Sequence, residues 1–105
     1  MSRSVPESDW KILSELKPLA LQRYCDRVLA GIASISSDSS KSSHERYAHV
    51  YGYVQEADKE LAFAFNAISR SNAIERLMAM ATLGLLTKEE LGRFSASTRN
   101  ILRIS

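Results

Sequence analysis

With 105 residues, 45% of them hydrophobic and 25% charged, the chain has the size and balance of one soluble domain built on one core. Fourteen Lys and Arg against twelve Asp and Glu leave a formal charge of +2, too small to imply nucleic-acid binding from the total alone. A single cysteine, Cys25, rules out an intrachain disulfide and any cysteine-rich zinc site.

The opening residues, "MSRSVPESDW", hold no apolar run of signal-peptide type, and nowhere do eighteen apolar residues follow one another. A cytoplasmic protein without a membrane segment is the resulting expectation. Apolar residues recur at spacings of three and four throughout, which predicts an all-α chain over residues 1–105. Ser8 is the expected N-cap of a short helix carrying Trp10, Leu13 and Leu16. Pro18 should break that helix or open the next one. A second helix is expected to reach about Ile35, with Leu21, Tyr24, Cys25, Val28, Leu29, Ile32 and Ile35 sharing one arc, and Cys25 as an inert thiol within it.

Residues 36–43, "SSDSSKSS", compete with the backbone for hydrogen bonds and predict a mobile loop. Ser42 and Glu45 then form a capping-box pattern for a long helix to about Ile68. Its stripe of Tyr47, Val50, Tyr51, Val54, Ala57, Leu61, Ala64, Phe65 and Ile68 is expected to face the preceding helix in an antiparallel pair. Gly52 should permit a close approach or mark a bend. Asn72 and Gly84 bracket a further helix, Thr87 and Glu90 repeat the capping box, and Ser95 or Ser97 caps a last helix. The expected architecture is a compact bundle of about five to six helices, with two long antiparallel ones and short C-terminal ones.

Both histidines and three of the four tyrosines fall within "HERYAHVYGY", residues 44–53. A helical zinc site needs imidazoles at i and i+4, whereas His44 and His49 stand five apart and diverge by about 140°. The stretch therefore predicts no metal and no cofactor. Instead Tyr47 and Tyr51 are expected to turn inward, leaving His49 and Tyr53 as an outward contact patch. Asp58 lies on the apolar arc as a candidate buried polar residue, expected at the boundary of the core with a hydrogen bond to a tyrosine or an arginine partner, or else as an acid with a perturbed pKa. Phe63 points opposite to Phe65, so it is either covered by the C-terminal helices or free to dock a partner chain. No catalytic motif is recognisable.

The last 45 residues hold six basic side chains and three acidic ones, so an anionic partner would meet this part. "LTKEELGRFSASTRNILRI" resembles the helix-turn-helix of small DNA-binding regulators, which implies major-groove contacts through Arg93, Arg99 and Arg103. The resemblance lacks the usual turn residues after Phe94 and has Arg99 where that family carries an apolar core residue. Across "DWKILSELKPLALQRYCDRVLAGI", "SSHERYAHVYGYV", "DKELAFAF" and "LGLLTKEELGRFSASTR" the chain resembles small bacterial helical proteins without an assigned activity. That likeness implies a bacterial single-domain helical protein and leaves its function open. The leading expectation is a non-enzymatic module that binds itself or another protein. A DNA-binding regulator is the first alternative, and a small-molecule-binding or enzymatic bundle using His49, Tyr53 and Asp58 the second.

Overall fold

The computed structural model describes residues 5–102. The chain is all-α: α1 (Glu7–Ser36), α2 (Ser43–Phe65), α3 (Ala73–Thr82), α4 (Lys88–Leu91) and α5 (Ala96–Leu102), with no strand among the described residues. The first helix is continuous where a break at Pro18 was expected. Proline at this place removes the hydrogen bond to the Ser14 carbonyl, at a cost of about 3 kcal/mol. Ser14 and Pro18 are both exposed, so water can take that carbonyl, while Leu13, Leu16, Ala20 and Tyr24 are buried on the other side and hold the helix together. The helix also starts two residues earlier than Ser8 suggests. Its N-cap is Pro6, whose carbonyl accepts from the amides of Asp9 and Trp10.

The serine-rich segment forms a short turn with hydrogen bonds of its own. Asp38 accepts from the Ser40 amide and hydroxyl, and Ser42 and Glu45 exchange the two bonds of a capping box. Arg46 donates to the Ser36 carbonyl at 2.6 Å, satisfying the end of α1. The second helix then returns antiparallel but stops at Phe65 instead of Ile68. Asn66 is extended and Ala67 takes a left-handed φ of 53°, which turns the chain toward α3. At the far end of α3, the Gly84 amide bonds to the Ala81 carbonyl and the Leu85 amide to the Met80 carbonyl. Gly84 has φ +71°, completing a Schellman motif.

One end of the molecule is a three-layered base. Leu13, Leu16, Ala64, Phe65, Ile74, Leu77, Met80, Leu85 and Phe94 are buried there in one cluster. Beyond it α1 and α2 continue as a two-helix arm, because α1 is about 45 Å long and the ten-residue α3 only about 15 Å. The overall extents are 52 × 27 × 21 Å. Within the arm, the Tyr24 hydroxyl donates to the Ala57 carbonyl at 2.9 Å and to Glu60 at 2.7 Å. Further out, the Tyr53 ring lies directly on the backbone of Gly31, where a Cβ would fall 2.1 Å from the hydroxyl oxygen.

The two mid-helix glycines differ in this respect. A Cβ on Gly52 would meet nothing within 4 Å, and α2 runs through it unbroken, so the residue provides neither a close approach nor a break. Gly52→Ala should raise the unfolding free energy by about 0.5–1 kcal/mol. Gly31→Ala should lower it in the native background and raise it when Tyr53 is also changed to alanine. Thermal denaturation of the four variants checks both; a stabilising Gly31→Ala with Tyr53 in place would show that the ring does not pack there.

Candidate functional site

The open side of the arm is the candidate site, and it arises from a mismatch of widths. The apolar stripe of α2 spans more of the helix circumference than one neighbouring helix can cover. Helix α1 takes the part centred on Val50, Tyr53, Ala57 and Leu61, all half-buried, and leaves the other edge uncovered. Tyr47 is 69% exposed, Tyr51 58% and Val54 40%. The expected inward placement of Tyr47 and Tyr51 is therefore corrected. Tyr53, expected to face outward, is instead half-buried against Gly31, while His49 is exposed as anticipated.

The first helix contributes in the same way. Of its predicted arc only Tyr24 is buried. Cys25, Val28, Ile32 and Ile35 are half-buried, and Leu29 is 62% exposed. Cys25, Leu29, Val54, Asp58 and Leu61 line one groove of about 340 Å³ between the two helices, which places the exposed edges of α1 and α2 on the same face. Asp58, expected to be buried, is exposed at the margin of this groove and has no hydrogen bond or ion pair among the described residues. Leu29 and Val54 were read as core positions. Only the combined width of the two stripes, set against the lack of a third helix on this side of the pair, marks them as surface.

A second groove, of about 460 Å³, lies on α2 and α3 between Phe63, Met78, Ala79, Thr82 and Leu83, with Glu60 and Glu75 at its edges. Phe63 is 65% exposed, and its outer face carries the Arg76 guanidinium 5.9 Å from the ring centre. Arg76 also donates to the Phe63 carbonyl. Phe63 points about 120° from Tyr51 and about 180° from Val54 on α2, away from the Tyr51–Leu29 face. Of the arginines singled out for DNA contacts, Arg93 is paired with Glu15 at 2.5 Å and Arg99 is half-buried. Arg103 lies outside the described residues. Among the described residues no group of three or more His, Cys, Asp or Glu side chains is placed to hold a metal ion, and no helix is long and apolar enough to cross a membrane.

Of the shifted titratable groups, Asp9 and Glu90 sit in the base, where they fasten short elements to α1, and Tyr24 sits at the root of the arm, where it bonds α2. Asp9 is buried, which would raise its carboxyl pKa. The hydroxyls of Ser95 and Thr98 and the Ser95 amide all donate to it and outweigh that effect, leaving the pKa lowered. Arg23 makes a two-pronged contact with Glu90 at 2.7 and 2.9 Å and also donates to the Leu85 carbonyl. That guanidinium, together with the Thr87 amide, holds the Glu90 carboxyl down to about 2. Arg27 donates to the Leu83 carbonyl at 2.7 Å. The Tyr24 phenol moves the other way: burial, and then the Glu60 carboxylate beside it, raise its pKa.

Comparison of the chain with protein-family models, with curated proteins and with solved structures found no match.

The shifts in the base set a pH dependence. Asp9 and Glu90 have ordinary values of 3.8 and 4.5 and are more acidic when folded, so the unfolded chain takes up protons first as the pH falls. Their contribution should be complete above pH 4.5 and disappear as the pH drops toward 2. Tyr24 contributes below its ordinary value of 10.0 and ceases to as the pH rises beyond it. Asp9→Ala leaves the Ser95 amide and Thr98 hydroxyl unpaired in the base and should cost about 3 kcal/mol at pH 7. Tyr24→Phe should remove part of the alkaline loss. Urea unfolding from pH 2 to pH 11 measures both, and an unchanged acid limb in Asp9→Ala would contradict the assignment.

Proposed function

We propose that the protein is a non-enzymatic helical interaction module that associates with a second copy of itself through the open face of the arm. The observation that carries this is the collection of Leu29, Tyr47, Tyr51 and Val54, each 40–69% exposed, on one face of two adjoining helices. A two-helix layer is apolar on both sides of its seam, and a second layer of the same kind is the simplest cover for it. The face suits a protein partner: it is a shallow groove whose lining is almost entirely apolar, with Asp58 its one charged residue.

The size of the face sets the strength. From Tyr47 to Leu61 it runs about 20 Å, and two helices are about 20 Å wide, giving a footprint of about 400 Å² per protomer. This falls below the ~800 Å² per partner of a standard interface, so the association is weak and transient. Sedimentation equilibrium should give a monomer–dimer equilibrium that Leu29→Glu abolishes, with the helical circular dichroism and thermal midpoint retained. A native chain that stays monomeric up to millimolar concentration would refute the proposal.

A further inference from the structure

The face is self-complementary in one particular orientation. Leu29 and Val54 line the same groove at the same level of the arm. On α1, Cys25 lies four residues before Leu29 and Ile32 three residues after it. On α2, Tyr51 lies three residues before Val54 and Asp58 four after, while Tyr47 and Leu61 lie seven to either side. Each side of this level thus carries the chemistry that the other side needs.

We infer that two copies pair face to face and antiparallel, about a two-fold axis that lies in the plane of the face and crosses both helices at right angles at the level of Leu29 and Val54. This rests on the self-association proposed above and adds its geometry. The axis sets α1 against the partner's α1 and α2 against the partner's α2. Leu29 then meets the partner's Leu29, Val54 the partner's Val54, Cys25 the partner's Ile32, and Tyr47 the partner's Leu61. Tyr51 stands opposite the partner's Asp58. The interface is isologous, so each contact away from the axis occurs twice.

The Tyr51–Asp58 pair decides between orientations. Neither the Tyr51 hydroxyl nor the Asp58 carboxylate has a hydrogen-bond partner among the described residues of its own chain. Covering a carboxylate with apolar surface is costly unless a donor reaches it. In the antiparallel arrangement the phenol donates to the carboxylate, twice per dimer. With the axis parallel to the helices, α2 would face the partner's α1 at the same level, and Asp58 would be set against the thiol and leucine of Cys25 and Leu29. That arrangement offers the carboxylate no strong donor.

Cysteine cross-linking distinguishes the outcomes. In a Cys25→Ser background, Val54→Cys and, separately, Leu29→Cys are oxidised mildly at a concentration where sedimentation shows dimer. Lys59→Cys, away from the face, serves as the control. The antiparallel dimer brings each introduced cysteine against its own copy, within reach of a disulfide, so each variant alone should cross-link. Cross-linking only when the two variants are mixed would overturn the orientation and leave self-association intact. Absence of any dimer by sedimentation would overturn the self-association itself. In addition, Tyr51→Phe should weaken dimerisation by roughly tenfold, and adding Asp58→Asn should restore most of it. A Tyr51→Phe variant that dimerises normally would contradict the pairing.

Discussion

The constraint on which the rest of the structure depends is the unequal length of its layers. Helix α1 is 30 residues long and α2 23, whereas α3 has ten. A third layer can therefore cover only one end of the α1–α2 pair. Where it does, a dry core forms from Leu13, Leu16, Ile74, Leu77 and Met80. Beyond α3 the same apolar stripes continue along both long helices with one neighbour each, and on the side of the pair away from α3 the edge carrying Leu29, Tyr47, Tyr51 and Val54 faces water. The radius of gyration, 16.7 Å against the ~13 Å of a chain of this length folded as a sphere, expresses the same fact.

Polar contacts hold the short elements at the base. Buried Asp9 near the start of α1 binds the residues that open α5, and Arg23 and Arg27, one turn apart on α1, take up carbonyls at the end of α3 and the carboxylate of Glu90. Arg70 adds a paired contact to Glu7 and stacks 4.9 Å from the Trp10 ring. These links join residues 56 or more apart in the chain, so folding the base also fixes which faces of α1 and α2 stay open. The arm needs fewer such links. Tyr24 anchors its root, the Tyr53–Gly31 contact its middle and the Arg46–Ser36 bond its tip.

Much of the fold was legible in the sequence because the signals were local. Both capping boxes, at Ser42 with Glu45 and at Thr87 with Glu90, and the left-handed glycine at Gly84 occupy the places that their short-range patterns indicate. What could not be read depends on distant parts. Pro18 is tolerated because the residues around it are clamped by helices far along the chain. Asp9 draws its partners from residues 95 and 98, and no local pattern announces that. The candidate site was misplaced for a related reason. Helical period identified the stripe containing Tyr47, Tyr51 and Val54 correctly, but a stripe shows which residues avoid water and not whether the fold supplies a cover. Tyr47 and Tyr51 exchanged roles with Tyr53 because α1 packs against one edge of the stripe instead of its middle.

A single surface thus links the architecture to the proposed role: α3 packs on one side of the α1–α2 pair, and the other side of the arm carries the apolar side chains of an interface. Methyl NMR over a concentration series, from about 10 μM to about 1 mM, tests this link most directly because it registers a weak and transient contact residue by residue. The account predicts that the Leu29 and Val54 methyl signals shift together along one binding curve while those of Ile74 and Leu77 in the base stay fixed. Leu29 and Val54 signals that do not move, or base signals that move in their place, would contradict it.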